Sequence, residues 1–188
     1  MSDLSALQQE LKQNLKQFPN FPKEGILFED FLPIFAKPAV FQKLIDAFKL
    51  HLEQSLKGAK VDYVIGLESR GFLFGPTLAL SIGAGFIPVR KPGKLPGDTY
   101  TVEFQKEYGS DKFEIQKDVI PKGANVIIVD DILATGGSAF AAGELAKVSG
   151  AEILEYLFVM ELDFLKGRDK LGKPVFTLLS GQDEALKN

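Results

Sequence analysis

The chain contains no cysteine, which removes disulfides, thiolate metal centres and a cysteine nucleophile from consideration. A single histidine, His51, excludes histidine-rich metal clusters and makes a serine–histidine triad unattractive. It lies on a helical stretch away from every motif described below and reads as an exposed helix residue. No apolar run approaches the ~20 residues needed to span a bilayer, so no membrane partner is expected. An excess of positive charge is also missing: 22 Lys and Arg face 25 Asp and Glu, for a net charge of -3. No overall field draws such a chain onto nucleic acid, and any phosphate site must be local. The opening MSDLSALQQELKQNL lacks an apolar signal core and mixes its charges, so a cytoplasmic location is expected. Repeats, low-complexity tracts and linkers rich in glycine, serine or proline are absent too, and residues 1–188 read as a single domain.

Periodicity supplies the elements. Leu4, Leu7, Leu11, Leu15 and Phe18 recur at helical steps until Pro19 and Pro22 break the pattern. Pro38 suits the first turn of a second helix, whose stripe is Phe41, Leu44, Ile45, Phe48, Leu52 and Leu56. Apolar strands are predicted at 61–67, 86–89, 126–129, 153–160 and 175–179, with helices over 71–81 and 138–148. This alternation predicts an α/β fold with a mostly parallel central sheet flanked by helices. Residues 90–120 break the rhythm: Pro92, Gly93, Pro96, Gly97 and Gly109 punctuate short alternating pieces at 100–104 and 113–116. Such a long connection reads as a flexible lid loop.

Ligands in parallel sheets bind beyond the carboxyl ends of strands, so the residues that follow each strand carry the chemistry. The segment after Val129 is the most informative. Asp130 and Asp131 are followed by the small-residue turn Ala134-Thr135-Gly136-Gly137-Ser138 and then a helix. Backbone N–H groups at that helix start, with the hydroxyls of Thr135 and Ser138, can hold a phosphate. Two carboxylates beside a phosphate make sense if they face ribose hydroxyls and the water shell of a magnesium ion. An ordinary acidic turn with a helix cap is the alternative reading of the same letters. Arg70, at the turn after 61–67, offers forked donors matched to phosphate oxygens.

In its order of strand, acid pair, Thr-Gly-Gly-Ser and helix, the 126–138 segment resembles the phosphoribosyl pyrophosphate motif of the type I phosphoribosyltransferases. The resemblance runs from about Phe18 to about Leu179 and implies transfer of a phosphoribosyl group to a base, with Mg2+ as cofactor and a homodimer as assembly. It places the ribose and 5′-phosphate on Asp130, Asp131 and residues 134–138. The metal falls to Asp130 and Asp131 through water, and pyrophosphate to Ser69 and Arg70; Lys91 and Lys94, cations placed right after the 86–89 strand, are further candidates for pyrophosphate contacts. A non-proline cis peptide at Glu68–Ser69 is also implied. Glu107-Tyr108-Gly109 resembles the closing lid of the adenine-using members. By that likeness Glu107 is the proton-transfer group and Tyr108 a phosphate or sugar contact, which together with Arg70 are the candidate catalytic residues. Residues 1–35 resemble a helix followed by a hood over the purine. In the hood, a backbone carbonyl and an N–H from Leu27 and Glu29 read adenine, with Phe28 as a wall. Many members carry arginine at position 29, so no side-chain role carries over to Glu29. Leu162 is a further candidate wall of the base pocket, and Phe164 reads as core. Two rivals stay open at this stage: a phosphoribosyltransferase for another base, and a non-catalytic regulator that senses phosphoribosyl pyrophosphate.

Overall fold

The computed structural model describes residues 3–21, 24, 27–105 and 109–180. Helix α1 (Leu4–Lys12) is capped by Asp3, whose carboxylate accepts a hydrogen bond from the Ser5 amide, and it buries Leu7 and Leu11. It stops short of the expected end at Phe18. Leu15 still packs on the core, but β1 (Lys16–Pro19) runs antiparallel to β2 (Leu27–Asp30) and leaves Phe18 exposed. Pro19 and Pro22 disfavour helix in this stretch, so the apolar spacing outruns the backbone that could use it.

Helix α2 (Pro38–Ser55) starts on its proline and buries Leu44, Ile45, Phe48 and Leu52. After β3 (Tyr63–Leu67), the helix expected over 71–81 is divided into a tight turn at Arg70–Leu73 and α3 (Gly75–Ile82). Pro76 is the reason, because it has no N–H with which to continue a helix from the preceding turn. The chain continues through β4 (Gly85–Val89), β5 (Thr99–Gln105), β6 (Ser110–Gln116), β7 (Asn125–Leu133), α4 (Gly137–Val148), β8 (Glu152–Glu161) and β9 (Val175–Leu179).

The central sheet has the order β4-β3-β7-β8-β9, and every neighbouring pair is parallel. Its strands are apolar on both faces because both faces are covered. Val64, Ile127 and Leu157 join Leu11, Phe48 and Leu78 from α1, α2 and α3. Ile65, Ile128 and Tyr156, one step along each strand, join Ala142 and Leu145 of α4 instead. The connection from β3 runs outward to β4, whereas that from β7 runs through α4 to β8. The chain therefore diverges between β3 and β7, opening a crevice at their carboxyl ends.

Much of the expected lid loop is ordered as a hairpin. Strands β5 and β6 pair from Thr99 opposite Gln116 to Gln105 opposite Ser110, and Phe104 stacks near Phe113 at 5.1 Å. Val102, Phe104, Phe113 and Ile115 pack into the cluster that α4 lines, so the alternating pieces use their apolar faces as strands. Two other expectations are corrected. Phe164 is 41% exposed and is not core. His51 is half-buried: its Nε2 lies 2.8 Å from Glu155 Oε1, and its ring stacks on Phe176 at 3.5 Å. Glu155 is brought inside by a bulge in β8, and Ser55 Oγ donates to its other oxygen at 3.0 Å. A carboxylate so placed needs those donors.

Gly143 faces the buried Tyr156 ring. A Cβ there would strike the Tyr156 hydroxyl oxygen and lie 3.3 Å from Cζ. Alanine would gain about 1 kcal/mol of helix propensity, against an overpacking cost of about 1–3 kcal/mol. Gly143→Ala should therefore lower the melting midpoint, and Tyr156→Phe in the same chain should restore most of the loss. A single variant as stable as the parent would contradict the tight contact.

Candidate active site

The crevice at the β3/β7 divergence is a cleft of about 440 Å3. Its walls are the turn Glu68-Ser69-Arg70 on one side and residues 130–139 on the other, with Phe158 and Leu162 from the β8 side. Sequence reasoning placed Ser69, Arg70, Asp130, Asp131, Ala134, Thr135, Gly136, Gly137, Ser138 and Leu162 in a site, and the fold brings all of them to this cleft. It missed Phe158, which pairs in register with Asp130 and is therefore carried to the same level of the sheet. Only strand register could have revealed that residue.

The helix start has the form a phosphate needs. Gly136 caps α4 with φ of 79°, a left-handed conformation that favours glycine. No side chain caps the helix, and its first turn carries no acidic residue. The N–H groups that would otherwise be capped are left for a ligand, where the helix dipole also favours an anion.

Opposite charge sits beside it. Asp131 is 4% exposed, and its amide donates to Asp130 Oδ1 at 2.9 Å. Arg70 reaches across the cleft and brings Nε to 2.8 Å from Asp131 Oδ2. Despite that approach its N–H is poorly directed, and Oδ2 remains buried without a hydrogen bond. The contact is thus an ion pair of charges rather than a directed bond. Asp130 keeps part of its surface open to the cleft, yet its carboxyl titrates well above the usual range. Loss of hydration is the main cause, followed by the neighbouring charge of Asp131.

Glu68 ties the turn after β3 to the turn after β4. Arg90 donates to both its oxygens at 3.3 and 3.0 Å, and the Lys91 amide donates at 3.0 Å. These bonds, Arg90 first, hold the Glu68 carboxyl below its ordinary range. Arg90 also donates to the Lys94 carbonyl at 3.1 Å, so its role is to shape this loop. The peptide Glu68–Ser69 is cis, as the family resemblance implied.

Other expected residues lie away from the cleft walls. Lys94 is exposed, and Lys91 places Nζ 3.4 Å from Asp111 on the hairpin. Leu27, Phe28 and Glu29 are half-buried in β2, with Phe28 against Phe21 at 5.1 Å. The Glu29 side chain accepts from Gln17 at 2.8 Å and so braces the β1–β2 hairpin. Glu107 and Tyr108 lie outside the described residues. Among the described residues, no three His, Cys, Asp or Glu side chains converge as a metal cage. No helix there is long and apolar enough to cross a membrane.

The family model for the phosphoribosyl transferase domain matches residues 33–182. An adenine phosphoribosyltransferase of Candida albicans is 77% identical over 182 residues, covering 97% of this chain and 95% of the relative. Adenine phosphoribosyltransferase 1 of Saccharomyces cerevisiae is 69% identical, with 98% of each chain covered. A crystal structure of the Saccharomyces cerevisiae enzyme, complexed with an imino-altritol bisphosphate and adenine, superposes with a TM-score of 0.91. That match is at 70% identity and covers 93% of this chain and 99% of the other.

A raised carboxyl pKa has a stability consequence. Above its ordinary value near 3.8 the unfolded chain has lost the Asp130 proton while the folded chain still holds it. Stability therefore falls as pH rises through the folded pKa, and the penalty is complete above it. Asp130→Asn removes that penalty and keeps an oxygen for the Asp131 amide. The substrate-free variant should melt higher than the parent near neutral pH, with the difference shrinking in acid. A lower midpoint at neutral pH would refute the strained-carboxylate description.

Proposed function

The chain belongs to the phosphoribosyl transferase family, and from that premise we propose how its residues divide the reaction. The enzyme transfers the 5-phosphoribosyl group of phosphoribosyl pyrophosphate to adenine, giving AMP and pyrophosphate in purine salvage. The observation that carries the assignment of roles is the uncapped start of α4 beside a buried carboxylate oxygen with no hydrogen bond.

The bond broken joins the anomeric carbon to pyrophosphate, and the bond formed joins that carbon to a purine nitrogen. As in glycoside chemistry, the transition state has oxocarbenium character, so the protein must hold the leaving group, align the base and exclude water. The 5′-phosphate sits on the amides and hydroxyls of residues 134–138. Ser69 and Arg70 receive the pyrophosphate, and Lys91 and Lys94 complete its contacts once they turn from the solvent side toward the cleft. Asp130 and Asp131 face the ribose hydroxyls. Asp131 Oδ2, which has the Arg70 charge nearby but no hydrogen bond, also suits the water shell of Mg2+. Asp130 and Asp131 would hold the ion through water, and it would supply charge neutralisation for the leaving pyrophosphate. Adenine lies against Leu162, with the hood residues Leu27, Phe28 and Glu29 closing over it. In a two-stranded sheet each strand keeps a free edge, and residues two apart present their backbone groups on the same side. Leu27 C=O and Glu29 N–H, two residues apart on β2, are assigned as the acceptor–donor pair for the exocyclic amine and ring nitrogen of adenine. Glu107 takes the proton from the base, and Tyr108 contacts phosphate or sugar.

Residues 1–35 as helix and hood and 90–120 as lid belong to the same reading of one domain. So do a cytoplasmic setting and a homodimer. Leu80 is 82% exposed on α3 and Leu73 is exposed just before it, apolar surface that a second copy would cover.

Two assays test the reading. Labelled adenine should be converted to AMP with phosphoribosyl pyrophosphate and Mg2+, with little conversion after chelation. Hypoxanthine inverts the hydrogen-bonding pattern and should be disfavoured by about 10^4 in kcat/KM. A preference for hypoxanthine would sink the backbone-hood argument. Glu107→Leu should lower turnover by about 10^2–10^4, the usual worth of a proton-transfer group. AMP affinity should change little, and equal losses in both would remove Glu107 from the chemistry.

A further inference from the structure

Behind the phosphate turn lies a second layer of structure. Glu161, the last residue of β8, is 2% exposed and stands in register with Leu133, the residue before Ala134. Leu162 N donates to Leu133 O at 2.9 Å. The chain then makes two tight turns, at Asp163–Leu165 and Gly167–Lys170, and Arg168 folds back onto Glu161. Its Nε donates to Oε1 at 2.8 Å and a terminal nitrogen donates to Oε2, while Thr177 Oγ1 adds 3.3 Å to Oε2. Arg168 does not line the cleft.

The residue beside it touches the phosphate turn backbone to backbone. A Cβ on Gly136 would run into the Gly167 carbonyl, and a Cβ on Gly167 would run into the Ala134 carbonyl and come within 2.9 Å of Gly136 N. Two glycines thus let the 167 strand of chain lie flat on the back of the turn. Burying the Glu161 carboxylate is costly, and an ion pair to a guanidinium that is itself 46% exposed is weak evidence for stability, so this pair calls for another explanation. A forked guanidinium–carboxylate contact fixes orientation as well as distance, and here it fixes the residue adjoining Gly167.

We propose that the Glu161–Arg168 ion pair, acting through the Gly167 backbone, is a positioning device for the 5′-phosphate turn. It rests on the reading of residues 134–138 as the phosphate seat. The pair clamps Gly167 against Ala134 and Gly136, and this holds the turn's amides in the one arrangement that converges on a phosphate. Binding groups must be held to within about 0.5 Å to act together, which a turn of small residues cannot do unaided.

The test uses the full-length enzyme and three substitution sets. The double variant Arg168→Met with Glu161→Gln removes the pair without leaving a lone buried charge. Gly167→Ala keeps the pair and disturbs only the contact, at a backbone angle outside the positive-φ region. Ser138→Ala probes the seat itself. Ribose 5-phosphate affinity is measured by calorimetry, and KM for pyrophosphate is measured in the reverse reaction with AMP. The double variant and Gly167→Ala should each weaken ribose 5-phosphate about tenfold and shift KM for pyrophosphate less than about twofold. Arg168→Lys, which keeps the charge and loses the fork, should fall between. Equal loss of both ligands would reduce the pair to general stability and overturn the proposal, as would a lower melting midpoint with unchanged ribose 5-phosphate affinity. The two lesions act through different atoms, so a folding defect in one leaves the other to decide. If Ser138→Ala leaves ribose 5-phosphate affinity untouched, the failure lies with the seat, and the positioning role falls with it.

Discussion

The structure turns on one electrostatic arrangement: the positive end of α4 and a pair of adjacent carboxylates share one wall of a cleft. Alone, each would be an error of design. Amides at an uncapped helix start lack partners, and the Asp130 carboxyl is pushed up by burial and by the charge of Asp131 beside it. Together they suit a substrate that is itself mixed, with an anionic phosphate at one point and neutral hydroxyls at another. Arg70, 2.8 Å from Asp131 yet poorly aimed at it, balances the acids without committing its donors.

Topology explains why this arrangement lies where it does. Because β4 and β8 flank β3 and β7 on opposite sides, the two central connections part and leave a gap at the strand ends. Whatever follows β3 and β7 must face that gap. Glycine then sets how close the backbone can come. Gly71 lies under Val129, where a Cβ would meet the carbonyl oxygen at 2.8 Å, and Gly136 accepts Gly167 on its other side. The site is thus assembled from main chain as much as from side chains.

This division also decides what was legible in the sequence. Segment 126–138 could be read because everything it does is local: an apolar strand, two acids, a flexible turn and a helix in unbroken order. The central strands were legible for the same reason, since burial on both faces leaves continuous apolar runs. Features that depend on distant partners could not be read. His51 looked like a surface residue because Glu155 and Phe176 are more than a hundred residues away in the chain. The hairpin of β5 and β6 looked like loop because its apolar alternation is short and its partner surface is α4. The end of α1 was overrun because leucine spacing continued after the backbone had turned toward Pro19. Glu161 and Arg168 carried no signal at all, since the six residues that join them follow no regular period.

Negative charge beside the cleft and in the layer behind its phosphate turn is largely answered among the described residues. Glu68 is held by Arg90 and by the Lys91 amide, and Glu161 is held by Arg168 and Thr177. Of the acids that line the cleft among the described residues, the two after β7 are the ones less completely answered. Pairing the outer carboxylates internally keeps their charge from opposing an incoming polyanion, while the shape they impose on the turns is retained. It also leaves the acid pair, met only by the loosely aimed Arg70, at the position where ribose hydroxyls and a hydrated divalent ion would be welcome. Selectivity for a phosphorylated sugar over a plain phosphate then needs no further device. The helix start alone would hold any small phosphate, but beside the acid pair an anion binds well only if it also brings the groups that satisfy those acids.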